Sequence, residues 1–197
     1  MNMNSNIDIA KRIASSLNCT LSKEVLKTFA EILVPEKYKK GERILDEGQI
    51  CDSLYFIDKG MTRQFYFKYD KDLTEHIGYE DAIIVCLESY FNEEPTRLMI
   101  EALEPTIAWK INKDEIVRLA SINSEIGTLY RRIFEKSLIT SQQKADTLRF
   151  EPANERYNKL MQQHPEILKR APLIYIASLL QMTPETLSRV RSASLAS

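Results

Sequence analysis

Histidine is nearly absent from this chain: His76 and His164 are the only two in 197 residues. A catalytic metal centre on a β-scaffold needs several histidines and a carboxylate converging on one ion. Metal-dependent chemistry of that kind is therefore not expected, and no metal ligand is assigned. Cysteine is scarce as well, with Cys19, Cys51 and Cys86 forming no CxxC pair. An iron–sulfur sensor needs about four closely arranged thiolates, so these three read as reduced thiols of a cytoplasmic protein. Cys86 and His76 could form a nucleophile pair, but nothing orients a third member. The chain is read as a non-enzyme. No apolar run approaches the ~18 residues of a membrane span, and the N-terminus MNMNSNIDIAKRIASS lacks the apolar core of a signal peptide. No membrane partner is expected.

A strong charge of either sign is also missing, since the net charge is −1. The balance is uneven, however. Residues 150–197 carry six Lys/Arg against four Asp/Glu, whereas residues 1–149 carry 21 against 24. A slightly basic module behind an acidic one fits a regulator better than a bulk nucleic-acid coat.

The pattern predicts a mixed α+β chain. Ile9, Ala10, Ile13, Ala14 and Leu17 recur at helical spacing, and Ser22 caps a second helix with Val25, Leu26, Phe29, Ile32 and Leu33 inward. Pro35 is taken to end the helical pattern. From Tyr38 on, glycines at 41, 48, 60 and 78 punctuate short apolar segments: 43–45, 53–57, 62–69, 98–103 and 106–111. Short strands with regular turn signals predict an all-β sandwich, here a jelly roll. Asn112 begins a capping-box-like start. From Asn123 or Ser124 a long helix runs to about Arg149, with Ile126, Leu129, Tyr130 and Ile133 on one face. Phe134, Leu138, Ser141, Ala145 and Leu148 follow a four-three spacing on another, the seam expected of a homodimer. The domains are read as 1–122, 123–149 and 150–197, with the last boundary at Phe150-Glu151-Pro152.

The most informative stretch is RAPLIYIASLLQMTPETLSRVR, residues 170–191. Pro172 can open a first short helix, and Thr183-Pro184-Glu185 restarts the chain as a second, with Thr183 as N-cap. Ile176, Leu180, Met182, Leu187 and Val190 fall where a helix-turn-helix buries its core, and Ala177 where close contact needs a small residue. Glu185, Thr186, Ser188, Arg189 and Arg191 remain outward. Such a face suits base edges and phosphates of double-stranded DNA. Glu185 and Arg189 are the expected base readers. Arg191, Lys169 and Arg170, at the edges, are the expected phosphate contacts.

The run KKGERILDEGQICDSLYFIDKG at 39–60, followed by the long helix and TPETLSRVR at 183–191, resembles the Crp/Fnr transcription regulators. The resemblance spans about residues 22–192. It implies a cyclic-nucleotide-binding-like jelly roll, a dimerisation helix, a C-terminal winged helix-turn-helix, and RNA polymerase as a further partner. Glu185 and Arg189 match that family's base-reading positions. The arginine that usually precedes the glutamate is replaced by Pro184, which puts the usual operator in doubt. Little sequence follows Arg191, so the wing is expected to be absent or formed from elsewhere.

The nucleotide cassette departs further. Members that bind cyclic AMP use a Gly-Glu pair and, later, an Arg followed by Ser or Thr; the Arg pairs the cyclic phosphate and the Glu takes the ribose hydroxyl. The chain has VCLESYFNEEPTRLMIEALEPT at 85–106. One alignment puts Val85-Cys86 at Gly-Glu and Thr96-Arg97 at Arg-Ser. Another pairs Glu88 with Arg97 but leaves Leu98 at the hydroxyl position. Glu88, Thr96 and Arg97 are the candidate ligand residues, cyclic AMP in the usual mode is not expected, and no cofactor is assigned. The competing reading is a degenerate jelly roll acting as a protein-interaction module without DNA binding.

Overall fold

In the computed structural model, which describes residues 3–196, the chain opens with helices α1 (Met3–Ser16) and α2 (Lys23–Glu31). Eight strands follow: β1 (Leu33–Tyr38), β2 (Arg43–Leu45), β3 (Ser53–Lys59), β4 (Met61–Lys68), β5 (Lys71–Tyr79), β6 (Ile83–Ile84), β7 (Met99–Ala102) and β8 (Thr106–Asn112), with α3 (Leu87–Asn92) between β6 and β7. The remainder is helical: α4 (Lys113–Ile122), α5 (Ser124–Phe150), α6 (Ala153–Gln163), α7 (Pro165–Arg170), α8 (Leu173–Leu179) and α9 (Pro184–Ala196). The strands form two four-stranded antiparallel sheets, ordered β1-β8-β3-β6 and β2-β7-β4-β5. The expected jelly roll is present.

Capping signals mark the helix starts. The Ser22 hydroxyl accepts the Val25 N–H, and Asn112 accepts those of Asp114 and Glu115. Asn123 accepts those of Glu125 and Ile126 at 3.0 and 3.1 Å, which starts the 27-residue α5. Each cap satisfies N–H groups that have no partner within the helix.

Ser53 to Ile57 of β3 is continuously buried. One core cluster joins it to α1, α2, α4 and the first half of α5, through Ile13, Phe29, Phe56, Ile116 and Leu129 among others. Gly60 is obligatory at the β3–β4 turn. Its φ is +101°, and an added Cβ would lie 2.4 Å from Thr106 Oγ1 and 2.8 Å from the Pro105 carbonyl.

Several elements depart from the sequence reading. Pro35 does not end the pattern; it lies within β1, opposite Trp109. The strand is at a sheet edge, where a residue with no N–H to donate is tolerated. β5, KDLTEHIGY, was not predicted because it carries polar residues and its cover is another domain. Pro172 precedes α8 as its N-cap instead of lying in the first turn. The basic pair Lys169-Arg170 closes a short helix, α7, ahead of the helix-turn-helix.

Candidate functional site

The helix-turn-helix forms from α8 and α9. Ile176, Ala177, Leu180 and Leu187 are buried together, with Met182 and Val190 packed against them. Gln181 takes the left-handed conformation, φ 51°, that ends α8 and lets the chain turn. Thr183 Oγ1 then accepts the Thr186 N–H at 3.2 Å and sits 3.2 Å from the Thr186 hydroxyl, closing the start of α9. Glu185, Ser188 and Arg189 are exposed, and Thr186 and Arg191 partly so. A hydrogen bond from Thr183, the Glu185 N–H and the charge of Arg189 hold the Glu185 carboxyl below its ordinary range. It is thus an ionised acceptor on the same face as a guanidinium one turn later.

The helix-turn-helix packs against the jelly roll, in contacts the sequence reading missed. Met61, Ile77 and Leu103 share a cluster with Tyr157, Ile167 and Ile176. Arg63, 3 % exposed, donates to Glu101 at 2.5 Å and to both Asp72 oxygens at 2.7 and 2.8 Å. Its guanidinium lies between the Phe65 and Tyr175 rings, 3.8 and 3.6 Å from their centroids. Planar stacking and bidentate pairing together suit arginine and not lysine. The Thr74 N–H donates to Ser178 Oγ at 2.8 Å, and Lys144 on α5 pairs with Glu75 at 2.8 Å.

Arg170 changes its expected role here. It pairs with Glu80 at 2.7 and 3.0 Å and with Glu104, both on the jelly roll. In this arrangement it is an interdomain residue and not a free phosphate contact. Lys169 is exposed and paired with Glu166 at 2.7 Å. Arg170→Met should loosen the docked helices by about 1–2 kcal/mol, a partly screened version of breaking a buried pair. Hydrogen exchange should quicken in α7 and α8, while fluorescence of Trp109 in the jelly-roll core stays unchanged.

The same interface gives a pH dependence. Burial, and then the charges of Lys144 and His164, push His76 down to about 4. Burial raises the Glu80 carboxyl, but hydrogen bonds from Arg170 and the Gly60 N–H outweigh it and bring it down to about 2. A histidine kept neutral by folding costs stability as pH falls from about 6.5 to about 4, where the unfolded chain takes up the proton first. The Glu80 contribution is present above about 4.5 and is lost as pH falls toward 2. Acid titration of the docked state, followed by exchange at α8, should show loss beginning below about pH 6.5.

The candidate ligand residues do converge. Glu88, Thr96 and Arg97 line one pocket of about 230 Å³ with Cys86, Ser89, Glu94, Pro95 and Leu98. Tyr90 is not in it: the side chain is fully buried, 3.4 Å from the Tyr130 hydroxyl and stacked near Phe134. The pocket is thus not filled by Tyr90, and its lining mixes polar and apolar groups. The Thr96 hydroxyl, however, accepts the Leu98 N–H at 2.9 Å and donates to the Leu98 carbonyl at 3.1 Å, so it serves its own loop. Arg97 is exposed, 5.5 Å over the Tyr66 ring, and Glu88 is exposed. Cys86 also lines the pocket.

The expected seam on α5 is divided by the structure. Phe134 packs into its own chain's aromatic cluster, with ring centroids 4.8 Å from Phe91 and 4.9 Å from Tyr130. Leu138 is 68 % exposed, Ser141 and Ala145 are exposed, and Leu148 is partly so. Ile139 and Phe150 add exposed apolar surface at 56 and 73 %. Among the described residues no group of three His, Cys, Asp or Glu is placed to hold a metal, and no helix is long and apolar enough to cross a membrane.

The chain is thus a jelly roll carrying a pocket, joined by a long helix to a helix-turn-helix. Residues 35–123 match the family model described as the cyclic nucleotide-binding domain. The Crp/Fnr resemblance also holds at the level of the whole fold. FixK2 from Bradyrhizobium japonicum matches with a TM-score of 0.70 at 19 % identity, covering 82 % of this chain and 84 % of FixK2. CLP of Xanthomonas campestris, a c-di-GMP-responsive global regulator, matches at 0.67 and 14 %, covering 89 and 92 %. The catabolite activator protein of Thermus thermophilus matches at 0.57 and 19 %, covering 90 and 85 %. Among curated proteins none matches the chain by sequence.

Proposed function

We propose that this chain is a dimeric, sequence-specific DNA-binding transcription regulator that does not use cyclic AMP in its family's usual mode. The observation that carries this reading is the recognition face of α9. Leu187 and Val190 turn inward while Glu185, Ser188 and Arg189 stand exposed behind a formed Thr183 cap. A helix serving only as a protein dock has no need of an ionised carboxylate and a guanidinium one turn apart. Base contacts fall to Glu185 and Arg189, with Thr183, Thr186 and Ser188 at the helix start, and phosphate contacts to Arg191 and Lys169. The exposed Leu138, Ser141 and Ala145 and the partly exposed Leu148 supply the dimer seam. Binding of the purified chain to a selected DNA site, and loss of that preference in Arg189→Ala, is the direct test.

The pocket supports a small effector other than cyclic AMP. It brings one arginine and one glutamate together, yet the Thr96 hydroxyl beside them is committed to Leu98. Cysteine stands where a carboxylate would take the ribose. Calorimetry with cyclic AMP should give no heat of specific binding. Micromolar affinity that Arg97→Ala abolishes would contradict this part of the reading.

A further inference from the structure

Residues 1–149 are net negative and residues 150–197 net positive, and one cluster at the interface between them joins the two signs. Glu80 directly follows β5, and Glu104 lies in the turn between β7 and β8. The fold brings both carboxylates onto the guanidinium of Arg170, the last residue of α7, just ahead of the helix-turn-helix. Arg170 Nη1 and Nη2 donate to Glu80 at 2.7 and 3.0 Å. Its Nε donates to one Glu104 oxygen at 3.4 Å, and Nη2 donates to the other. Glu166, one turn earlier on α7, stands 3.9 Å from Nη1. Every nitrogen of the guanidinium therefore faces a carboxylate. The forked, bidentate geometry is the one by which arginine also grips a phosphate. The Arg170 side chain is only 23 % exposed, although it belongs to the small basic domain that carries the recognition face. Apolar packing of Met61 and Leu103 with Ile167 holds α7 in this position.

We propose that Glu80 and Glu104 form an autoinhibitory contact: they occupy Arg170 in the place of a DNA phosphate, and DNA gains that guanidinium only by displacing them. The two carboxylates supply the charge and the acceptor oxygens of a phosphate, and they are permanently at hand because they belong to the same chain. A competitor tethered in this way lowers the apparent affinity for DNA by the fraction of molecules in which Arg170 is held. The inference rests on the DNA-binding reading and deepens it, by naming the contact within the chain that limits affinity. It also accounts for an arginine at the edge of the motif that is turned toward the jelly roll.

The test is the affinity of the full chain for a random-sequence DNA duplex at low salt, where phosphate contacts dominate. Glu80→Gln combined with Glu104→Gln removes the competing charges and keeps an acceptor for the Gly60 N–H. That protein should bind the duplex about tenfold more tightly than the unaltered chain. Glu31→Gln combined with Glu47→Gln removes the same charge from exposed positions outside the contact, and should gain about twofold or less. Adding Arg170→Met to the Glu80→Gln/Glu104→Gln protein should abolish its gain. Trp109 fluorescence checks that the jelly roll is intact. If the paired variant does not fold, Glu104→Gln alone, which leaves Glu80 on Gly60, should show a smaller gain with the same dependence on Arg170. A gain no larger than that of Glu31→Gln/Glu47→Gln, or one that survives Arg170→Met, would overturn the inference and leave the DNA-binding reading standing. A duplex bound by none of these proteins would overturn both.

Discussion

Leu138→Asp should convert the proposed dimer to a monomer in analytical ultracentrifugation without changing the fold of the separate chain. Leu138 is 68 % exposed in one chain, so a carboxylate there meets water and costs the monomer little. In a paired helix the same carboxylate would be buried without a partner, at a cost on the order of several kcal/mol per chain. At about 1.4 kcal/mol per tenfold change in association, a penalty of several kcal/mol per chain weakens the dimer by several orders of magnitude. Thermal unfolding of the jelly roll should be nearly unaltered. Phe134→Ala should behave in the opposite way, because Phe134 packs on Phe91 and Tyr130 of its own chain; it should destabilise the fold by about 2–4 kcal/mol. A Leu138→Asp protein that remains a dimer would place the interface elsewhere.

Removing Arg189 and removing Arg191 should have different consequences. Arg189 is exposed on the α9 face with Glu185, where it can span the two acceptors of a guanine. Arg189→Ala should cost ~1–3 kcal/mol on the preferred site and relax selection at one base position. Arg191 is partly buried toward the edge of the motif. Arg191→Ala should weaken all sequences alike and reduce the salt slope by about one. Arg170→Met should show neither pattern directly, since that guanidinium is held by Glu80 and Glu104. Its effect on DNA would come through the position of the helix-turn-helix.

The helix-turn-helix was readable from sequence because its signals are local. Thr183 and Pro184 mark a helix start, and Ile176, Ala177, Leu180 and Leu187 repeat at helical spacing within one short stretch. The strands with alternating or wholly apolar runs, β2, β3, β4, β7 and β8, were readable for the same reason. β5 was not. Its Thr74 N–H bonds to Ser178, more than a hundred residues away, and its neighbour β4 places Arg63 against Tyr175. A strand whose cover is another domain carries polar residues that local periodicity reads as turn. Pro35 misled in a similar way, since only the sheet order shows that β1 is an edge.

The pocket was half legible. Sequence placed Glu88, Thr96 and Arg97 together, and the structure brings them to one cavity. It did not show that the Thr96 hydroxyl is spent on Leu98. It also read Arg170 as a phosphate contact, because charge at a motif's edge looks the same whether it meets DNA or an acidic patch. Glu80 and Glu104 are 90 and 66 residues away in sequence, beyond any spacing argument.

Selection of binding sites from random double-stranded DNA by the purified full-length chain tests the central claim most directly. Two recognition helices related by a two-fold axis should read half-sites about one helical turn apart, roughly 34–36 Å. The account predicts enrichment of a near-palindrome, with a base preference in each half-site that Arg189→Ala relaxes. No enriched palindrome, with or without candidate small effectors, would contradict it and leave the jelly roll and its docked helices as a protein-interaction module.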